Sequence, residues 1–473
     1  MRKIARCTSS FKQQKTKEQH TKDGISGLPD EILIDILSLL TLKEAACSSI
    51  LSRRWRYLWR HTTGSFNFDL NTLLGAPTER IFLCSEHEEK RTTYTNWVNE
   101  VLKLHLGTRI DEMRIYFDFR DQYPHDINDW IKFAMEKGAQ RFELNVLGYT
   151  IPGQWRTFYN FSSVENFKIL FRTSHSHHVS RSIGSAAGFC SLTALRLVGV
   201  DITEEMLENF LFNCPFLEQL GIVGTKCLVN LKISGPSLKL KCLEISQCLS
   251  LENLEISAIN LVSFAYKGRE TGVHFKNVPL LSELSIGGEF CPPFVFGCCK
   301  HSSSLPQIEK LKLKYLQEIQ RFPKYCRDLG NLKQVEFFFV GSGGDCLLSF
   351  TSVIKASPNL SKFSVRMHLA PVYREIIREV DERTYLHAVK EATKCHHQCL
   401  KVVELCGFNG ISGSEVELVL HILEIAASLE KIIIDTRLVI PSEFSREAQI
   451  EAARERARQL KTRLPATIEL VIL

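Results

Sequence analysis

The sequence has little excess charge of either sign. Its 473 residues include 59 lysines and arginines against 53 aspartates and glutamates, which gives a formal net charge of +6 at pH 7. Proteins that bind nucleic acid through phosphate contacts concentrate positive charge on one face, and these totals show no such concentration. We therefore expect no nucleic-acid partner.

Long hydrophobic runs are also missing. No stretch approaches the roughly 18 uninterrupted apolar residues that a transmembrane helix needs, and residues 1–22 are polar and basic, without the apolar core of a secretory signal. The 16 cysteines lie in apolar segments without the even framework of a small secreted domain, which is typical of a reducing compartment. We predict no membrane partner, a nuclear or cytoplasmic location, and a disordered basic leader over residues 1–22, with a weak nuclear signal as the alternative.

Signatures of chemistry are absent as well. The chain has no G-x-S-x-G, H-E-x-x-H or G-x-G-x-x-G, and Gly-Ser-Gly-Gly-Asp at 341–345 lacks the ending of a phosphate loop. Cys395-His-His-Gln-Cys399 has adjacent histidines and no second ligand pair, which favours a helix-to-strand junction over zinc. The histidines at 174–178 predict a polar loop, and Cys298-Cys299 two free thiols. We expect no enzyme activity, catalytic residue, cofactor or metal.

What the sequence does contain is an excess of apolar side chains between Gly27 and Trp59. Pro29 and the two acidic residues after it are typical of a first helical turn, and apolar residues follow at helical spacing. Thr41-Leu-Lys-Glu44 predicts a capping box that opens a second helix, and a third helix follows Ser52. Such a short unit is near the limit of what folds alone, so its apolar face needs a second surface, on this chain or on another protein.

From about residue 110 one pattern recurs, apolar-x-x-apolar-x-apolar, as in Leu192-Thr-Ala-Leu195-Arg-Leu197. Its spacing is often about 24–29 residues, the range of leucine-rich repeats, whose coils stack into a solenoid. Between residues 217 and 261 the units shorten to about 10–12 residues, which predicts short coils joined by tight turns without helices. Charged residues in the middle of the predicted strands are expected on the concave, solvent-facing side; these are Lys232, Glu244, Glu255, Lys312 and Glu336.

The chain resembles the plant F-box/leucine-rich-repeat proteins with a C-terminal FBD region. The Leu28-Pro29 pair, the aliphatic residues from Ile32 to Leu37 and "LSRRWRYLW" (51–59) are similar to an F-box, although members often have β-branched or basic residues where Ala45 and Cys47 stand. Residues 94–119 and 127–146 look like the first helix–strand units of the group. The segment from His397 onward resembles its FBD region.

This resemblance implies an α/β fold. The expected order is a leader at 1–22, a three-helix F-box at 23–70, an irregular leucine-rich-repeat solenoid of parallel strands with helices or turns at 90–395, and an FBD-like α/β cap at 396–473. The cap is expected to contain helices at 415–427 and 445–460 and strands at 429–435 and 467–473.

The resemblance also implies a function, which is substrate recognition in an SCF-type cullin-based ubiquitin ligase. The F-box is expected to bind a Skp-family adaptor, and through it the cullin, while the repeats bind an unidentified target protein. The implied adaptor contacts are Leu28, Pro29, Ile32, Leu33, Ile36 and Leu37, and the implied F-box core residues are Trp55, Leu58 and Trp59. The alternative is a non-catalytic repeat scaffold outside any ligase, in which Ile32 and Ile36 are buried against the chain's own first repeat.

Overall fold

The computed structural model describes residues 24–25, 27–69, 87–117, 124–146, 191–235, 238–289, 307–315, 329–341, 345–369, 396–411, 414–437 and 447–473. The predicted leader at 1–22, the histidines at 174–178, the Cys298-Cys299 pair and Cys395 lie outside these ranges. Within them, no helix is long and apolar enough to cross a bilayer.

Three short helices come first and form what we call the N-terminal module: α1 (Asp30–Ser38), α2 (Leu42–Cys47) and α3 (Trp55–Leu58). The later helices are α4 (His87–Leu104), α5 (Pro124–Glu136), α6 (Glu204–Asn213), α7 (Thr351–Lys355), α8 (Ser414–Ile425) and α9 (Glu447–Leu460). The resemblance implied helices in residues 94–119 and 127–146, and helical spacing predicted one at 203–214; these correspond to α4, α5 and α6. Thr203 caps α6 by accepting a hydrogen bond from the Met206 amide, as an N-cap residue does.

Seventeen strands are described. They are β1 (Ser65–Asp69), β2 (Glu112–Tyr116), β3 (Arg141–Asn145), β4 (Ala194–Val198), β5 (Gln219–Val223), β6 (Asn230–Ser234), β7 (Cys242–Ser246), β8 (Asn253–Ser257), β9 (Ser263–Gly268), β10 (Gly272–Asn277), β11 (Glu283–Gly288), β12 (Lys310–Tyr315), β13 (Gln334–Gly341), β14 (Lys362–Leu369), β15 (Val402–Cys406), β16 (Lys431–Asp435) and β17 (Glu469–Ile472).

Fourteen of these strands form one parallel sheet, the long sheet, in the order β1-β2-β3-β4-β5-β7-β9-β11-β12-β13-β14-β15-β16-β17. Along each strand the second and fourth residues point inward, as Leu284 and Ile286 do in β11. Because every coil leaves its apolar edge open, these inward residues are buried by the neighbouring coils. The predicted α/β solenoid is confirmed.

The short units between residues 217 and 289 are arranged differently from the prediction. β6, β8 and β10 form a second parallel sheet of three strands, the short sheet. Consecutive units therefore alternate between the two sheets, and strands of the long sheet begin 20 to 23 residues apart, at Gln219, Cys242, Ser263 and Glu283. The predicted coils of 10–12 residues are wrong, because two units make one coil and the second strand replaces the returning helix.

The two ends of the long sheet extend past the expected solenoid. β1 lies inside the range predicted as the F-box, yet it pairs residue for residue with β2. Leu42 of α2 belongs to the solenoid core, so the module covers the first coil. At the other end, the helices and strands predicted for the cap appear as α8, β16, α9 and β17, and β15 to β17 continue the same sheet.

Polar side chains in the turns tie successive coils together. The Asn260 amide donates to the Leu238 carbonyl at 2.9 Å, and the Asn359 amide donates to the Gly330 carbonyl at 2.7 Å. His397 has a similar position, with Nε2 2.9 Å from the Ser357 carbonyl and Nδ1 accepting from the Leu400 amide at 3.0 Å. Both ring nitrogens thus hold backbone groups at the start of the β15 coil.

Candidate protein-binding surfaces

The N-terminal module has a small core of its own. Its buried apolar residues are Leu33, Leu37, Ala45, Trp55 and Leu58. Leu28, Ile34 and Trp59 pack against this core while partly exposed, and Trp59 also touches the solenoid core. The structure therefore puts the three predicted core residues at the centre of the module or beside it.

The apolar face of α1 divides into two strips. Leu33 and Leu37 are 0% and 1% exposed, whereas Ile32 and Ile36 are 44% and 40% exposed. Residues four apart lie on the same side of a helix, and successive residues are about 100° apart around its axis. Ile32 and Ile36 therefore form one strip along α1, and Leu33 and Leu37 form the strip beside it. Leu33 and Leu37 therefore lie in the module core in this arrangement, which does not favour their predicted role as adaptor contacts; that role stays a prediction.

The N-terminal module exposes further apolar residues besides Ile32 and Ile36. They are Ile25, Leu39, Leu40, Ile50, Leu51 and Tyr57. Helical periodicity had put Leu39 and Leu40 on the apolar face, but none of the six was among the predicted contacts, because exposure depends on how the helices pack. Apolar side chains concentrated in so short a segment are typical of a protein interface.

Polar contacts fix the start of α1. Arg54 Nε donates to Asp30 Oδ1 at 2.6 Å, and the same guanidinium donates to the Leu28 carbonyl. Leu28 is half-buried and Pro29 is exposed. The Leu28-Pro29 pair is thus held against the beginning of the third helix.

The predicted capping box is confirmed at α2. The Thr41 amide donates to Glu44 Oε2 at 3.0 Å, and Thr41 Oγ1 accepts from the Glu44 amide at 3.3 Å. Thr41 Oγ1 also donates to Glu44 Oε2 at 2.7 Å, and this hydrogen bond, together with the one from the Thr41 amide, lowers the pKa of Glu44 below its ordinary value. The turn between α1 and α2 is therefore closed by its own residues.

The module is joined tightly to the first coil. The Thr63 amide donates to Ser38 Oγ at 2.9 Å, and the Leu106 amide donates to the Arg60 carbonyl at 2.7 Å. A Cβ at Gly64 would lie 2.0 Å from the Ser38 carbonyl oxygen, so only glycine allows this approach. The module therefore has a fixed orientation relative to the long sheet.

A buried histidine completes this junction. His105 Nε2 lies 3.0 Å from the Thr62 carbonyl, and the ring packs edge-on against Phe66, with the centroids 4.9 Å apart. Burial is the largest cause lowering the pKa of His105, and its Nδ1 has no hydrogen-bond partner among the described residues. Burial therefore favours the neutral form of the imidazole at this junction.

The outward face of the long sheet is the second candidate surface. The central outward residue of each strand lies in register with the next. The row reads Asn67, Arg114, Glu143, Arg196, Gly221, Glu244, Ala265, Ser285, Lys312, Glu336, Ser364, Glu404, Ile433 and Val471.

Only part of the predicted charged set lies on this face. Glu244, Lys312 and Glu336 are in the row, but Lys232 and Glu255 belong to the short sheet. They lie 3.7 Å apart there, from Nζ to Oε1. The prediction that they share one face with the other three was wrong, because the sequence pattern is the same for strands of either sheet.

Ion pairs neutralise much of the outward face. Arg196 Nη1 lies 3.1 Å from Glu143 Oε1, and its Nε lies 3.3 Å from Glu244 Oε2 two strands away. This reach passes over Gly221, where a Cβ would lie 3.0 Å from Arg196 Cγ. Lys312 pairs with Glu336 at 3.2 Å. Such a face carries charges of alternating sign rather than a single-sign field.

The described residues contain no cluster that resembles a metal site. No three histidine, cysteine, aspartate or glutamate side chains within the described ranges are placed to hold one ion. The two surfaces are therefore the candidate functional features of the described chain.

A small helical module with an exposed apolar surface, fixed to a parallel-strand solenoid, defines the class of F-box proteins with leucine-rich repeats. The F-box domain model matches residues 25–63, and the model described as the At1g61320/AtMIF1 LRR domain matches residues 101–463. The second match covers well over half of the chain, so the chain belongs to the F-box/leucine-rich-repeat family. The repeat match runs through most of the predicted cap, and the predicted domain limits remain predictions.

Relatives from Arabidopsis thaliana agree with this membership. The F-box/FBD/LRR-repeat protein At5g22700 is 26% identical over 45% of this chain and 44% of its own length. The F-box protein At4g27050 is 26% identical over 58% and 60%, and the FBD-associated F-box protein At4g10400 is 29% identical over 57% and 62%. The matches thus span about half of the length of these curated relatives.

Proposed function

We propose that this protein is the substrate-recognition subunit of an SCF-type cullin-based ubiquitin ligase. In this proposal the N-terminal module binds a Skp-family adaptor, and through it the cullin, in the nucleus or cytoplasm. The outward face of the long sheet binds a target protein. The subunit breaks and forms no bonds; it raises the local concentration of a target lysine near an enzyme of the complex.

The observation that carries the proposal is the exposure of Ile32 and Ile36. The core of the module forms without either side chain. The scaffold alternative requires both side chains to be buried against the chain's own repeat, yet they are 44% and 40% exposed. The first coil contacts the module through Leu42 of α2, and neither Ile32 nor Ile36 belongs to the solenoid core. An external partner accounts for this exposed surface, which also includes Pro29 and Leu39.

The fixed junction supports the same function. Proximity catalysis is efficient only when the two binding surfaces keep a defined geometry, because a loose linker spreads the target over many positions. The hydrogen bonds of Ser38, Arg60 and His105 provide such a connection here.

The test is the affinity of the full chain for a purified Skp-family adaptor, measured by calorimetry. We expect Ile32→Glu with Ile36→Glu to weaken binding at least about tenfold, because two charges on the exposed strip would have to be desolvated at the interface. Glutamate is a good helix former, so α1 should persist, which circular dichroism checks.

The matched control is Phe212→Glu, which changes an 80% exposed apolar residue outside the module. This variant should bind the adaptor like the unaltered chain. Equal affinities for the double variant and the control would reject the proposed interface.

A further inference from the structure

Two lysines lie on the outward face of the long sheet, and neither forms an ion pair among the described residues. Lys267 of β9 pairs in register with Gly287 of β11, and Gly287 pairs with Lys314 of β12. The two lysines therefore occupy one outward row, separated by a residue without a side chain. Phe338 of β13 is the next residue in this row.

These lysines differ from the other cations of this part of the sheet. Lys310 pairs with Glu283 at 2.6 Å and Lys362 with Glu404 at 2.8 Å. Among the described residues, no ion pair includes Lys267 or Lys314.

The acids of the adjacent row are already engaged. Glu336 is paired with Lys312 and Arg366, and Glu244 is paired with Arg196. Neither ammonium group thus has a carboxylate partner within the part of the chain that the structure describes.

Gly287 brings the two lysine stems together. A Cβ at this position would lie 3.2 Å from Lys267 Cγ and 3.2 Å from Lys314 Cβ, so both stems pack over the glycine. Their strands are two spacings apart, which is roughly 10 Å. Burial and then the charge of Lys314 lower the pKa of Lys267. The pair therefore has a like-charge repulsion that an anion would relieve.

We propose that Lys267 and Lys314 form the part of the target-binding face that recognises an acidic peptide segment, with side-chain carboxylates as their ligands. This inference rests on the proposed function, since it specifies the chemistry of the target. Small residues in the neighbouring row, Ala265 and Ser285, leave room for a peptide backbone beside the lysines. The half-buried Phe338 ring offers an apolar contact next to Lys314.

A protein target fits better than nucleic acid. Binding to a phosphate backbone depends on several uncompensated cations, because affinity grows with the number of neutralised phosphates. Here only two cations on this part of the face are free of an ion pair among the described residues, and an aromatic side chain lies beside them. Two carboxylates of one peptide segment match this arrangement.

The experiment uses the full chain and two labelled peptides, one alternating glutamate with glycine and one with every glutamate replaced by glutamine. Fluorescence anisotropy at low and raised salt gives both affinities. We expect the glutamate peptide to bind at least about tenfold more tightly, and this difference to shrink as salt screens the charges. Lys267→Gln with Lys314→Gln should remove the preference.

Two variants serve as controls. Lys267→Arg with Lys314→Arg keeps both charges and should keep the preference, while Lys310→Gln removes a paired lysine and should change it less than about twofold. The proposal is overturned if both peptides bind equally, if the double glutamine variant keeps the preference, or if oligothymidylate binds as tightly as the glutamate peptide.

Adaptor affinity is measured on the same double glutamine variant. It should equal that of the unaltered chain, because both lysines lie far along the sheet from the module. Loss of the peptide preference with intact adaptor binding supports this inference. Absence of adaptor binding in the unaltered chain would instead reject the proposed function.

Discussion

The N-terminal module and the solenoid use apolar side chains in different ways. Eight large apolar residues between Ile25 and Tyr57 are exposed, against nine in all the later described residues. In the solenoid each coil buries the open edge of its neighbour, so the inward rows are covered by repetition. The module has no further copy of itself, and its small core leaves a strip of α1 uncovered. Apolar side chains in the solenoid therefore serve its internal packing, whereas the exposed ones in the N-terminal module indicate a surface for a partner.

The largest effect that tests this comparison is expected at Leu33. Leu33→Ala should lower the free energy of unfolding by about 2–4 kcal/mol, because it removes a fully buried side chain and leaves a cavity. Ile36→Ala, one strip away, should cost less than about 1 kcal/mol. Denaturant unfolding and amide exchange of α1 measure both.

Similar losses for the two variants would contradict the division of α1 into a core strip and an exposed strip. A large loss at Ile36 alone would indicate that this residue is buried in solution. That outcome would favour the scaffold alternative.

Much of the solenoid could be predicted from the sequence, because buried and exposed positions alternate along a strand and appear as alternating apolar and polar residues. Leu284 and Ile286 are buried as their pattern predicts. The sheet to which a strand belongs could not be predicted, since Leu231-Lys-Ile233 of the short sheet and Leu243-Glu-Ile245 of the long sheet have the same pattern. Whether a strand joins the long or the short sheet depends on the path of the chain through a whole coil, which the residues of a single strand do not determine.

The candidate surfaces were predictable to a lesser extent. Helical spacing identified the apolar face of α1 but not which of its strips the module buries. Leu33 and Ile32 are adjacent in sequence and chemically alike, and the packing of α1 against the other two helices of the module separates them. The lysine pair was not recognisable either, because Lys267, Gly287 and Lys314 are brought together by register over three strands.

The next effect is expected at the junction between the two regions. His105 donates from Nε2 to the Thr62 carbonyl in its neutral form, and protonation would add a hydrogen to a buried Nδ1 that has no described acceptor. Burial, and to a lesser extent Lys137, lower the pKa of His105 below its ordinary value of 6.5. The folded state then binds fewer protons than the unfolded state, so stability is complete above the unfolded pKa and falls as the pH drops below it.

The measurement is the pH dependence of unfolding free energy for the unaltered chain and for His105→Gln, whose amide nitrogen takes the place of Nε2 as a donor to Thr62 without titrating. The variant should show a shallower decline below the ordinary histidine pKa. Some decline will persist, because burial also lowers the pKa of His421 in α8. Identical slopes would show that His105 does not couple protonation to the junction.

The smallest effect is expected on the outward face, at Gly221. Alanine there should stabilise the chain by about 0.4–1 kcal/mol, because it reduces the conformational freedom of the unfolded state. Its Cβ, however, would lie 3.0 Å from Arg196 Cγ. It would therefore displace the Arg196 side chain, which forms an ion pair with Glu244. Both partners of this ion pair are partly exposed, so its loss should cost less than about 1 kcal/mol. Gly221→Ala should therefore be nearly neutral in the unaltered chain and stabilising beside Arg196→Ala. Equal effects of Gly221→Ala in the two backgrounds would mean that the Arg196–Glu244 ion pair does not depend on the absence of a side chain at Gly221.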